Sequence, residues 1–337
     1  MRGFLNRVFC RDRTVFCPTF LSNYMNIQKE KIKFYLDKNI WSHKIMKMSP
    51  SELQDFKNLI NPLKRQQKIG IYYSPINVLE LIKGMKLEEY FVKCQEEIRL
   101  ADRITDTHFI ENPFDHVKRS AAWFIGLSFN DPDPVFLNLC KKIAISSSYQ
   151  EIKPEIQPLR DMLNKWSEDW ANDLNSLILS LREKFSLEGG NKNWSTHIKE
   201  FLEKETTLNR KQKTWVAFCR HFSLSAQLRD LPLYLAYDRF HSFRYWVDYR
   251  LTYENKMLFE NRKTKPSDYL DWIQIVYLNE MDYLITEDNK LKEILRKCEN
   301  EEMRRVTMSF DEFIGCLSGL PPKRAPDTTA EQWYDTS

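Results

Sequence analysis

Glycine is scarce in this chain, at eight residues in 337. So little of the residue that turns most freely disfavours a loop-rich all-β architecture and favours helix. Cysteine is present without organisation. Cys10, Cys17, Cys94, Cys140, Cys219, Cys298 and Cys316 stand singly, and no pair has zinc-site spacing. An odd, scattered set fits a reducing compartment and not a disulfide framework. No apolar run is long enough to span a bilayer, so no membrane role is expected. The first 24 residues hold four Arg but lack the continuous apolar stretch of a secretory signal, so they read as an extension and the cytoplasm as the expected location. Lys and Arg exceed Asp and Glu by only 51 to 47. That excess does not by itself argue for nucleic acid, and any basic surface has to be local. No internal repeat is visible. What the chain does have is core material: 42% hydrophobic residues, 13% aromatic, and nine Trp.

The apolar run Ile32 to Leu36 reads as a strand ending at Asp37. A helix follows, with Pro50 near its start and Leu53, Phe56, Leu59, Ile60 and Leu63 at helical spacing. Lys68 to Ser74 reads as a second strand, and Ser74-Pro75 as a helix start with Ser at the cap. Strand, helix, strand, helix is the opening of an α/β layered domain. From about 85 to 265 strand signals fade. Leu159, Leu163, Trp166, Trp170, Leu174, Leu177, Leu181 and Phe185 predict one long amphipathic helix, and an aromatic helical block spans roughly 212 to 260. Ser267 is placed to cap a further helix. Tyr283 to Thr286 reads as a buried strand, Asn289 to Lys297 as a helix, and Val306 to Ser309 as a last strand before a small helix. The expected class is α/β: a mostly parallel sheet flanked by helices and interrupted by a large all-helical insertion. Its parts are an N-terminal extension over 1–24, a first α/β piece over 25–84, the insertion over 85–265, a second α/β piece over 266–319, and a disordered tail over 320–337.

Metal-assisted phosphodiester hydrolysis needs hard oxygen ligands, and carboxylates supply them. In an open α/β sheet they belong beyond the carboxyl ends of the strands. Asp37 and Asp288 follow strands. Glu80 lies in the first turns of the helix after the second strand, and Asp268 and Asp271 share a face of the helix after the insertion. Taken singly, each is as well explained as a turn, cap or solvated helix residue. Together they fall on one predicted sheet edge.

Phe34-Tyr35-Leu36-Asp37-Lys38-Asn39 resembles the opening strand of the PIN-domain nucleases, where an apolar run ends in Asp-x-Asn. Ser74 to Leu81 is similar to that family's second motif, in which a helix presents a Glu. Asp271 to Leu278, followed by Tyr283 to Asp288, resembles the third and fourth, where an Asp opens a helix and a strand ends in Thr-x-Asp. The resemblance implies a PIN-like fold with Asp37, Glu80, Asp271 and Asp288 as carboxylate ligands of Mg²⁺ or Mn²⁺. Asn39 and Thr286 would support them, and Asp268 is an alternative third ligand. The activity implied is a metal-dependent endonuclease, foremost an endoribonuclease acting in RNA decay, as a toxin or in defence. A DNA or structure-specific nuclease and a catalytically silent RNA-binding or assembly scaffold stand as alternatives. A protein inhibitor or a second copy of the chain is a conceivable partner.

Arg239 to Arg250 mixes cations with aromatics. Arg239, Arg244 and Arg250 are the candidate phosphate contacts, with rings for base stacking. On a helix, however, Phe243, Trp246 and Arg250 share a face, as core residues do. The six His show no ligand spacing, and Cys219-Arg220-His221 is a poor catalytic pair because adjacent helical residues diverge.

Overall fold

The computed structural model describes residues 31–105, 112–124, 135–189, 207–224, 236–237, 240–260 and 262–319. The extension, the tail and Arg239 lie outside them.

Four strands, β1 (Ile32–Leu36), β2 (Ile69–Tyr72), β3 (Tyr283–Ile285) and β4 (Thr307–Met308), form one parallel sheet in the order β2-β1-β3-β4. The register aligns Phe34 with Ile71 and Tyr283, and Leu36 with Ile285. Between β1 and β2 come α1 (Lys38–His43), a 3₁₀ turn at Ile45–Lys47, and α2 (Pro50–Arg65). Pro50 opens α2 as expected, behind a Ser49/Glu52 capping box. After β2 the described elements are helical as far as β3: α3 (Pro75–Gly84), α4 (Glu88–Ile104), α5 (Pro113–Phe124), α6 (Val135–Ile145), α7 (Tyr149–Gly189), α8 (Thr207–His221), α9 (His241–Phe259), α10 (Asp268–Gln274) and a 3₁₀ turn at Ile275–Tyr277. The chain closes with α11 (Asn289–Arg296), α12 (Glu301–Arg305), β4 and α13 (Phe310–Gly319). Among the described residues no helix is long and apolar enough to cross a membrane, and the five described cysteines are free.

Strand alternation sorts the core into two layers. Phe34, Leu36, Ile71 and Ile285 face one side, with Trp41, Phe56, Phe91, Ile98, Leu139, Ile152 and Phe313. Tyr35 and Leu284 face the other, with Trp215, Phe218, Trp246, Tyr269, Trp272 and Leu291. Helix α3 straddles both, giving Ile76 and Leu79 to one layer and Val78 and Ile82 to the other. Among the described residues the helices between 85 and 265 pack into these two layers: α4 and α6 complete one face of the sheet, α8 and α9 the other, and α7 serves both, with Ile152 and Ile156 in the first and Leu163, Leu174 and Ile178 in the second.

Two details of the sequence reading change. In α7 the buried stripe runs Ile152, Ile156, Leu163, Ser167, Ala171, Leu174 and Ile178, leaving Trp166 and Leu177 each 38% exposed. The side chain of Phe185 lies outside the described residues. Helix α9 is buried on all sides, so its outline shows no polar face.

Candidate active site

The first crossover runs from β1 to β2, and the chain returns to pair β3 on β1's opposite edge. The crevice at the carboxyl ends of β1 and β3 is thus a topological switch point. Asp37 stands at its centre. Its N–H donates to the Ile285 carbonyl at 3.0 Å, carrying the ladder one residue beyond β1. The Leu36 carbonyl just before it accepts from Trp41 Nε1 at 3.1 Å and Asn77 Nδ2 at 2.9 Å, one from each neighbouring helix.

The Asp37 carboxylate is 4% exposed. Oδ1 accepts from the Lys38 N–H at 2.7 Å, and Oδ2 from Asn39 Nδ2 at 2.7 Å and Thr286 Oγ1 at 2.6 Å. Thr286 Oγ1 in turn accepts from Asn39 Nδ2 at 3.1 Å and the Asp288 N–H at 3.0 Å, while Asn39 Oδ1 accepts from the Glu287 N–H at 3.1 Å. One hydroxyl donor and two acceptor positions satisfy Thr286 completely. Asn39 and Thr286 thereby lock the end of β1 to the end of β3. Asp288 N-caps α11 through Leu291 N–H at 2.9 Å.

Glu80, on α3, and Asp271, on α10, are half-buried on the same crevice. Gln274 Nε2 lies 3.4 Å from Asp271 Oδ1, and Gln274 Oε1 accepts from Tyr35 Oη at 3.1 Å. The same phenol lies 2.7 Å from Ser74 Oγ and 3.2 Å from Asn77 Oδ1. This corrects the expected cap: Ser74 stands at the N-cap position, but its hydroxyl is drawn to Tyr35 and makes no capping bond. Ser267 likewise occupies an N-cap position without a side-chain bond.

The electrostatics tie the four carboxylates together. Burial raises Asp37 despite its hydrogen bonds, and Asp288 adds repulsion. Burial first and Asp37 second push Glu80 to about 8. Asp271 is raised well above the carboxylate range by burial, then by Glu80, Asp37, Asp288 and Asp268. Asp268 is differently placed. Its Oδ2 accepts from Tyr253 Oη at 2.6 Å and the Lys265 N–H at 3.2 Å and pairs with Lys290 at 2.7 Å. Of the two residues left open by sequence, Asp268 has its compensating cation and Asp271 is surrounded by acids.

Glu97, on α4, was not singled out from sequence. It is 2% exposed, accepts from Ser42 Oγ at 2.7 Å and Tyr73 Oη at 3.4 Å, and is pushed by burial to about 7; its charge acts on Glu80. Its place among Cys94, Ile98 and Ala101, on the buried face of α4, is the signal that could have found it.

From Ser242 to Arg250 the Arg-aromatic segment packs into the core, as the shared helical face anticipated. Phe243, Trp246 and Tyr249 are buried, which removes the base-stacking reading of these rings. Arg250 stacks on Trp246 at 5.4 Å and pairs with Glu254 at 2.6 Å, and Arg244 is half-buried. His221 lies among Phe114, Phe222 and Trp272, and burial drops it to about 4.

Four carboxylates offer only oxygen donors, and the charges that act most on Asp271 are those of other acids, a set that suits a hard divalent cation in kind and in charge. Among the described residues, however, no three His, Cys, Asp or Glu side chains are grouped so that they could hold a metal ion as they stand.

The raised carboxylates predict a pH effect in metal-free protein. An unfolded Glu ionises near ~4.3, whereas folded Glu80 ionises at about 8. The folded state holds the extra proton across that interval, so this stabilisation is present at low pH and is lost as pH rises through the folded value. His221 acts with the opposite sign, but only below its unfolded value near ~6.5. In EDTA the melting temperature should therefore fall between about pH 7 and about pH 8.5; a rise across that window would contradict the assignment. The chain matches no protein-family model, no curated protein and no solved structure.

Proposed function

We propose that this chain is a PIN-like, metal-dependent endonuclease that hydrolyses phosphodiester bonds in RNA. The observation that carries the reading is the clustering of Asp37, Glu80, Asp271 and Asp288, two from each end of the chain, where burial and mutual repulsion outweigh the pull of Lys38 and Lys83. Mutual repulsion of this size is costly in empty protein and is relieved by a cation. These four residues would hold Mg²⁺ or Mn²⁺, with Asn39 and Thr286 fixing Asp37 and Asp288 in orientation. An ion held by these residues would supply Lewis acidity towards the scissile phosphate and would activate a water.

One observation favours a second reading, a catalytically silent scaffold. No ligand group is closed as the side chains stand, and three of Asp37's acceptor positions are already filled.

The test is incubation of matched RNA and single-stranded DNA with Mn²⁺, Mg²⁺ or EDTA. Metal-dependent internal cleavage of RNA, abolished by EDTA, is expected; equal cleavage of DNA would move the substrate class. No cleavage by folded protein, together with no change in melting temperature on adding Mn²⁺, would leave the scaffold reading.

A further inference from the structure

Beside the carboxylates lies a cavity of about 530 Å³ with walls from three elements. Lys38, Ser42, His43 and Lys47 come from α1 and the turn after it; Glu80 and Gly84 from α3; Tyr90, Lys93, Glu96 and Glu97 from α4. The cavity adjoins the site through Glu80, which lines it, and through Lys38, which follows Asp37 directly. Its volume falls in the ~300–1,000 Å³ range of pockets that enclose small ligands. A concavity of that size admits a nucleotide or two with the bases unpaired, and not a duplex.

The chemistry of the walls matches such an occupant. Tyr90 is 44% exposed at the rim, and the Lys93 ammonium lies 5.5 Å from its ring centre. An exposed ring beside a cation offers a base a stacking face and a phosphate a counter-charge. Lys47 and His43 are exposed on the facing wall. Of the three acids, Glu80 belongs to the carboxylate cluster, and Glu97 is withdrawn into hydrogen bonds with Ser42 and Tyr73. Glu96 alone is an acid exposed to solvent. Lys38 is engaged electrostatically by Glu80 and Glu97, whereas Lys47 and Lys93 are exposed at the cavity's surface, with Glu96 as the exposed acid.

We infer that this cavity binds the unpaired nucleotide next to the scissile phosphate, with its base on Tyr90 and its phosphates towards Lys93 and Lys47. The inference rests on the nuclease reading for the word scissile, but the binding it describes is measurable without chemistry. It also moves the nucleic-acid surface from Arg244 and Arg250, on α9, to the wall between α1 and α4.

The experiment is fluorescence anisotropy of labelled single-stranded RNA of about 12 nucleotides, in EDTA so that nothing is cut. Single-stranded DNA of the same sequence and a perfect RNA duplex form parallel arms. Tyr90→Ala should weaken RNA binding by about tenfold, within the range of one base–aromatic stack. Lys93→Glu should weaken it at low salt and reduce the slope of log Kd against log salt by about one. Lys68→Glu, exposed just before β2 at the amino end of the strands, is the control and should bind as wild type. Circular dichroism establishes that each variant is folded; a Tyr90→Ser variant replaces Tyr90→Ala if the latter is not. Unchanged affinity in both the Tyr90 and Lys93 variants overturns the inference while leaving the nuclease reading standing. Absence of wild-type binding, or preference for duplex, overturns it as well. Loss of binding in these variants by a wild type that cuts nothing under any metal would retain the cavity and discard the nuclease.

Discussion

Asp271→Asn is expected to slow Mn²⁺-dependent cleavage by at least about a hundredfold, the scale on which one electrostatic group at a reacting centre acts, and to make the metal-free protein more stable. The two effects share one cause. Asp271 is held among Glu80, Asp37 and Asp288, and burial and these neighbours together oppose its charge. An amide of the same shape removes the repulsion but gives up a carboxylate that the proposed metal site uses. Single-turnover cleavage and thermal melts in EDTA measure the two sides separately. Unchanged cleavage at saturating Mn²⁺ would remove Asp271 from the site; a lower melting temperature in EDTA would show that its charge is compensated in a way the structure does not contain. Asp268→Asn should behave oppositely. It breaks an ion pair with Lys290 and weakens the bond from Tyr253, so it costs stability at the base of α10.

Trp246→Ala should lower the free energy of unfolding by about 3–5 kcal/mol, the usual cost of emptying a large aromatic site in a packed core. Trp246 is fully buried, 4.6 Å from the Trp272 ring and 5.0 Å from Phe218, and it carries the Arg250 guanidinium on its face. Trp272 is Asp271's neighbour on α10, so the cavity left behind adjoins the helix that positions a carboxylate. Cleavage should fall too, through displacement of that helix. Urea unfolding of the variant beside wild type decides the matter. A loss of RNA affinity with stability intact would return this ring to a binding role.

The parts of the fold carried by short-range signals were legible. The apolar runs before Asp37 and at Tyr283 to Thr286 gave β1 and β3, and Ser-Pro gave the start of α3. Three features needed tertiary partners. Whether Asp268 or Asp271 faces the site depends on Tyr253 and Lys290, which no local pattern connects to them. Whether Phe243 and Trp246 are exposed depends on α8 and α10 closing over α9 from both sides. The Tyr35 phenol, read simply as part of a strand, turns out to organise Ser74, Asn77 and Gln274 beneath the carboxylates. Glu97 was hidden for a related reason: a Glu in a charged helix looks solvated until Ser42 and Tyr73 are found covering it.

The bond from Thr286 to Asp37 spans 249 residues of chain. Contacts of such sequence separation form late, after much of the polypeptide's freedom has been given up. At about 5–20 residues per second of synthesis, a ribosome finishes that stretch only ~10–50 s after Asp37 has been made. Throughout that interval β1 lacks its β3 neighbour and half of the carboxylates do not yet exist. A nascent chain surrounded by ribosomal and messenger RNA is therefore without a complete site for almost the whole of its own translation.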